Sequence, residues 1–126
     1  MRYLALDVGD RRIGLAVGDE DHGLVRPLPT LRRQSVAKDL EHVRAVARAE
    51  NVQAVVIGLP LTERGDEGYQ ATRIRRFADA AAALGLPVEL YDERFTSSEA
   101  LIRGARDVDA GAATILLEDY LARRPR

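Results

Sequence analysis

Three acidic positions in this 126-residue chain have the types and settings needed for metal chemistry. Asp7 stands near the end of the run Arg-Tyr-Leu-Ala-Leu-Asp-Val over 2–8, and strand alternation puts it on one face with Tyr3 and Ala5. Glu93 closes the run Val-Glu-Leu-Tyr-Asp-Glu over 88–93, although alternation does not choose between it and Asp92. Asp109 heads a helical stripe, because Ala113, Leu116 and Tyr120 follow at offsets of 4, 7 and 11 and return to nearly the same face. On the same helix Glu118 points towards solvent and Asp119 lies off the stripe. A bare carboxylate on a buried strand is costly, and three together without a cation would raise one another's pKa. A divalent ion resolves both problems, and hard oxygen ligands suit Mg²⁺ or Mn²⁺. Two such ions about 4 Å apart activate a water and stabilise the leaving oxygen of a phosphodiester. Taken singly, each of these acids reads as a helix cap or a strand-end charge; the three in one element order carry the metal reading.

The elements that must position them follow from periodicity. Residues 2–8 alternate as a strand, Gly9–Arg12 is a turn, and 13–19 read as the returning strand. A weaker third strand spans 24–31, where Pro27 and Pro29 push it to an edge. Ser35 caps a helix with Val36, Leu40, Val43 and Ala47 on its inward stripe, ending near Glu50. The continuous apolar run over 54–60 predicts a strand covered on both faces, and 61–69 a polar loop. A second helix turns Ala71, Ile74, Ala78, Ala81 and Leu84 inward; Gly85 ends it and Pro87 follows. After the strand at 88–93, Thr96 and Glu99 fit a capping box opening a short helix. Residues 103–109 form a loop, and a last helix runs to about Leu121. The order β-β-β-α-β-α-β-α-α demands crossovers between parallel strands. The fold class it predicts is α/β: a ribonuclease H-like mixed five-stranded sheet, an antiparallel meander followed by parallel strands, flanked by helices, in a single domain over 1–126.

Composition narrows the chemistry. Hydrophobic residues are 46% and charged residues 31%, which is globular. There is no cysteine, so thiolate zinc sites and disulfides are excluded. No apolar run reaches the roughly 20 residues of a membrane helix, and Met-Arg-Tyr-Leu leads straight into a strand without a signal-peptide pattern; the expectation is a cytoplasmic protein off the membrane. His22 and His42 have no partner spacing for a metal or proton relay. No Ser-His-Asp set and no Walker loop is present.

With a net charge of −1, a nucleic-acid site must be a local basic patch. Lys38 is the one lysine among 19 basic residues. Arg11 and Arg12 follow Asp7, Arg94 follows Glu93, and Arg103 and Arg106 precede Asp109. Each acid thus has arginines beside it, which suits a polyanionic substrate: metal on the acids, flanking phosphates on the guanidinium groups. Arg73, Arg75 and Arg76 read as a solvated helix face. Thr96 reads as a cap and Tyr91 as core.

At these residues the chain resembles the YqgF/RuvX family. The motifs are Leu-Ala-Leu-Asp-Val-Gly-Asp-Arg-Arg-Ile-Gly-Leu-Ala-Val-Gly-Asp over 4–19, Val-Val-Ile-Gly-Leu-Pro-Leu over 55–61, Tyr-Asp-Glu-Arg-Phe-Thr-Ser-Ser-Glu-Ala over 91–100, and Val-Asp-Ala-Gly-Ala-Ala-Thr-Ile-Leu-Leu-Glu-Asp-Tyr-Leu over 108–121. The resemblance implies a ribonuclease H-like nuclease, with Asp7, Glu93 and Asp109 as the catalytic metal-binding acids; the choice of Glu93 over Asp92 rests on it. The family is described both as Holliday junction resolvases and as nucleases that process the precursor of 16S ribosomal RNA. Asp10, Thr62 and the segment Arg-Gly-Ala-Arg-Asp over 103–107 depart from the family's usual residues, while the acid triad matches.

The two substrates share one chemistry. A resolvase makes paired cuts and calls for a two-fold dimer, whereas no long apolar surface stripe is evident, so the reading leans to RNA processing by a monomer or weak homodimer. Two other classes stand against the nuclease. Asp-Val-Gly-Asp-Arg-Arg-Ile-Gly also matches the phosphate loop of sugar-kinase and actin-like ATP-binding proteins, but those use two such domains and a second phosphate motif. A non-catalytic RNA-binding module would be indicated by a missing acid, and all three are present.

Overall fold

Alternation and turn chemistry place the first three strands as expected. The computed structural model describes residues 1–60, 68–92 and 108–123, with side chains from Gly111 onward in the last stretch. Strands β1 (Arg2–Val8), β2 (Arg12–Asp19) and β3 (Val25–Arg32) form an antiparallel meander. Helix α1 (Val36–Ala49) leads to β4 (Ala54–Leu59), which pairs parallel with β1; α2 (Tyr69–Ala81) and a 3-10 turn over Ala82–Leu84 lead to β5 (Val88–Asp92), parallel with β4. The sheet order is β3-β2-β1-β4-β5. Helix α3 (Val108–Arg123) is the last described element. Pro27 and Pro29 sit on the edge strand β3, where a missing N–H costs no ladder bond on the outer side.

Side-chain alternation gives the sheet two unlike faces. Leu4, Leu6, Val8, Val55, Ile57 and Leu59 point to one side and join Leu40, Val43, Ile74 and Phe77 of α1 and α2 in the larger core. Tyr3, Ala5, Ala54 and Val56 point to the other and meet Leu116, Leu117 and Tyr120 of α3. On that second face β2 contributes Gly14, Ala16 and Gly18, the partners of Asp7, Ala5 and Tyr3. These small residues let α3 lie close: a Cβ on Gly18 would stand 3.0 Å from Val25 Cγ2 and 3.1 Å from Leu117 Cδ2.

Several details differ from the sequence reading. Val36 is exposed, and its neighbour on the inner side is Asp39, only 2% exposed. Arg33 Nε donates to Asp39 Oδ2 at 3.1 Å and the Gln34 N–H to Asp39 Oδ1 at 2.9 Å, which offset the burial of that charge. Ser35 caps α1 as expected, accepting from the Lys38 N–H. In α2 the buried residue beside Ile74 is Phe77, while Ala78 is half-buried. Leu84 lies in the 3-10 turn rather than the helix, and Gly85 closes it at φ 74°. Strand β5 is the last strand of the sheet among the described residues, next to β4. The capping box at 96–99, the short helix after it and residues 61–67 of the expected 61–69 loop lie outside the described residues, and α2 begins at Tyr69, inside that stretch.

Candidate functional site

The C-terminal ends of β1, β4 and β5 lie at one end of the sheet, because all three strands run parallel. Asp7 is there, half-buried, on the face covered by α3. Its partner on β2 is Gly14. On the other side Leu6 pairs with Ile57, so the next residue of β4, Gly58, stands beside Asp7. The carboxylate therefore projects from a strand whose two neighbours carry no side chain at that level. Sequence reasoning missed this flanking, although both glycines are visible in the two apolar runs.

Gly58 pairs with Tyr91 and Leu59 with Asp92, so the end of β5 is level with Asp7. Two strand spacings separate β1 from β5, about 10 Å. Glu93 follows Asp92 in the chain and lies outside the described residues, as do Arg94, Arg103 and Arg106. Asp109 stands in the first turn of α3. The second half of that helix covers the start of β1, with the Tyr120 ring edge-on to Tyr3 at 5.4 Å. From there α3 runs back over β1, β2 and β3. Among the described residues no three His, Asp or Glu side chains form a metal cluster. Of the predicted triad, the structure thus describes the Asp7 side chain and the backbone position of Asp109.

The turn after Asp7 is held from several directions. Gly9 N–H donates to Arg12 O at 2.8 Å, and a Cβ on Gly9 would meet that oxygen at 3.0 Å. Arg33 donates from Nη1 to Gly9 O at 2.9 Å and from its backbone N–H to Arg11 O at 2.9 Å. The same guanidinium is anchored by buried Asp39 and lies over the Phe77 ring, 5.3 Å from its centroid. Arg73 of α2 reaches the turn as well, with Nη1 at 2.7 Å from Asp10 Oδ1. That pairing gives one member of the predicted solvated arginine face a bridging contact; Arg75 and Arg76 are exposed on it.

Arg11 and Arg12 are exposed on this turn. Arg12 pairs across the strands with Arg32, also exposed, and even-numbered alternation puts Arg12 on the same side of β2 as Gly14. Two like charges directly opposite on adjacent strands repel each other. Arg32 is a cation that the sequence could not assign to this end of the sheet, since the pairing places it there across 20 residues of chain.

On the same face, where the second half of α3 crosses β1 and β5, tyrosine hydroxyls meet carboxylates. Tyr91 donates to Asp119 Oδ2 at 2.6 Å and Tyr120 to Glu89 Oε2. The rings of Tyr91 and Tyr120 pack edge-on at 5.5 Å. Desolvation, and then the bond to Asp119, pushes the Tyr91 hydroxyl up from 10.0 to about 12; desolvation, and then the bond to Glu89, raises Tyr120 likewise. Tyr91 is thus a packing residue, as its sequence context suggested. His22 and His42 are exposed. None of the described helices is long and apolar enough to cross a membrane.

Comparison with known proteins places this arrangement. Residues 1–123 match the family described as "RuvX: Holliday junction resolvase". A protein of Anaeromyxobacter dehalogenans named "Putative pre-16S rRNA nuclease" is 46% identical, with 98% of each chain covered. One of the same name from Thermus thermophilus is 41% identical, again with 98% of each covered. Among solved structures, Thermus thermophilus RuvC in complex with a Holliday junction substrate superposes with a TM-score of 0.66 at 18% identity, covering 96% of this chain and 94% of that one. The last likeness establishes the ribonuclease H-like fold.

Proposed function

This chain belongs to the RuvX family, and we propose from that premise that it is a divalent-metal-dependent nuclease acting on the precursor of 16S ribosomal RNA, as a single cytoplasmic domain. The observation that carries the reading is Asp7: a half-buried carboxylate at the C-terminal end of a central strand, flanked by Gly14 and Gly58, beside a turn bearing exposed arginines. Ligand sites of open α/β sheets gather at such strand ends. The spacing of α3 supports Asp109 as a companion. From Tyr120 back to Asp109 the helix rises about 16 Å, and from Tyr3 to Asp7 the strand extends about 13 Å. Glu93 supplies the third acid, one residue past the end of β5.

The donor set fits a hard cation, since it consists of carboxylate oxygens without thiolate or imidazole. Asp7, Glu93 and Asp109 would hold one or two Mg²⁺ or Mn²⁺ ions, which when bound activate a water and stabilise a leaving oxygen. The chain's own part is orientation. Gly14 and Gly58, both buried, put no side chain beside the carboxylate. Arg11, Arg12 and Arg32 hold flanking phosphates at the β1–β2 end of the sheet, and Arg94, Arg103 and Arg106 add to them near the other acids. The Asp39–Arg33 pair fixes the turn from which Arg11 and Arg12 project.

The relatives named for pre-16S rRNA favour RNA, and the family's description favours a four-way DNA junction. Cleavage of both substrates at matched concentration in Mn²⁺ separates them, with Asp7→Asn as the contamination control. Asp7-dependent cutting of an RNA spanning the 5′ junction of the precursor is expected. Paired symmetrical nicks in the DNA junction with inert RNA would overturn the substrate, and cleavage by Asp7→Asn at the wild-type rate would overturn the site.

A further inference from the structure

The end of the sheet remote from Asp7 carries a groove of about 710 Å³. It lies where the parallel strands begin: Arg2 from the start of β1, Asn51, Val52 and Gln53 from the entry to β4, and Leu84 and Leu86 from the entry to β5, with Arg44, Ala47 and Arg48 from α1. Volumes of roughly 300–1,000 Å³ hold small organic ligands. We propose that this groove binds a free nucleoside di- or triphosphate.

Charge identifies the ligand's first half. Arg44 and Arg48 sit one helical turn apart on the same face of α1, and Arg2 faces them from β1. Arg2 donates from Nε to the Glu50 carbonyl at 2.7 Å, and Arg44 from Nη2 to the Ala83 carbonyl at 2.7 Å. Carbonyl oxygens orient a guanidinium without neutralising it. The nearby carboxylate is Glu50, and it is shared: Oε1 lies 3.4 Å from Arg2 Nη2 and also accepts from Arg26. Arg44 Nε is buried with no acceptor. A pre-oriented and under-neutralised cluster of guanidinium groups favours a multiply charged oxyanion, and the fork geometry of arginine matches phosphate.

The floor identifies the second half. Ala47, Val52, Leu84 and Leu86 form an apolar surface that inorganic phosphate has no use for. A flat base can cover it. Gln53 Oε1 accepts from the Arg2 N–H at 3.1 Å, which leaves its amide NH₂ to donate to a base edge. Asn51 offers a second amide from a backbone held at φ 55°, a conformation asparagine tolerates. A nucleic-acid strand would need a continued track of cations, yet Arg26, beyond the groove, is tied to Glu50.

Isothermal titration of the full chain with ADP, GDP, GTP, pyrophosphate and a short single-stranded RNA tests this. At least one nucleotide should bind more tightly than pyrophosphate. The exposed-site variant Arg48→Glu should weaken it by about tenfold or more, with an unchanged circular dichroism spectrum and melting temperature. Arg44→Gln should weaken it further. Asp7→Asn should bind as the wild type does, because it lies at the other end of the sheet. No nucleotide binding up to roughly 1 mM, equal binding by Arg48→Glu, preference for the RNA, or loss of binding in Asp7→Asn would each overturn the proposal. None of these readouts depends on cleavage.

Discussion

On one face of the sheet, Leu4, Leu6, Val55 and Ile57 meet two helices through an aliphatic core. On the other, Tyr3, Ala5 and Val56 meet a single described helix, across a surface of small residues and with tyrosine hydroxyls directed at carboxylates. The first face is a continuous aliphatic layer, and the apolar area it buries contributes about 25 cal/mol per Å². The second is built to keep polar atoms solvated or paired. Asp7 stands on this second face, whereas the buried carboxylate on the first, Asp39, needs Arg33 to pair it. The difference teaches that this chain separates stability from chemistry by strand parity: odd residues of β1 face the site, and even ones the larger core.

The sharpest way to break that division is to exchange substitutions between its halves. Asp7→Asn should cut cleavage by more than about 100-fold and leave the melting temperature within a degree or two, read by nuclease assay and calorimetry. Ile57→Ala, on the other face and fully buried, should do the reverse. It should cost about 2–5 kcal/mol of stability, while the activity per folded molecule below the melting transition stays near wild type. Equal loss of activity in both variants would mean that the faces are not independent.

Asp39 is where the division is crossed, since this acid sits on the α1 side yet reaches the turn after Asp7 through Arg33. Asp39→Ala leaves that guanidinium largely buried without its carboxylate. A loss near 3 kcal/mol is expected in urea unfolding, together with weaker RNA binding, because Gly9 and Arg11 lose their anchor. Double substitution with Arg33→Met should recover part of the stability but not the binding. Full recovery of both would reduce the pair to a structural contact.

Smaller still is Gly18→Ala, which pushes α3 off the small-residue surface and should cost about 1–3 kcal/mol by thermal melting. The mildest contrast is alkaline. Tyr91 ionises near 10.0 when unfolded and about 12 when folded. Its stabilisation is therefore complete below pH 10 and is lost as the pH rises towards 12. Tyr120 shifts in the same direction. The variant carrying Tyr91→Phe and Tyr120→Phe should start less stable and lose less across that window; an unchanged slope would remove the tyrosines from the account.

Local pattern made much of this legible. The meander, the Ser35 cap, the apolar run of β4 and the Gly85 stop each depend on neighbours within a few residues, so the sequence contains their cause. The face of Asp7 was legible too, because strand parity is a local property. Other features were not. Val36 and Asp39 lie on adjacent parts of one helical wheel, and which of them turns inward depends on Arg33 arriving from β3 to pair the charge. Phe77 takes the place expected of Ala78 because it joins Ala71, Ile74 and Ala81 in the larger core, a packing that the α2 segment alone does not specify.

By itself, then, the sequence determined the order of the described elements, the mixed sheet and the position of each proposed acid along the chain, since periodicity and turn residues act at short range. Only the tertiary structure decided that Gly14 and Gly58 flank Asp7, that Arg32 stands beside Arg12, that β5 lies next to β4, and that three arginines line a groove at the far end. Those facts come from register and crossover between segments distant in the chain. Register is fixed by which whole faces can be buried together, a property no single segment possesses.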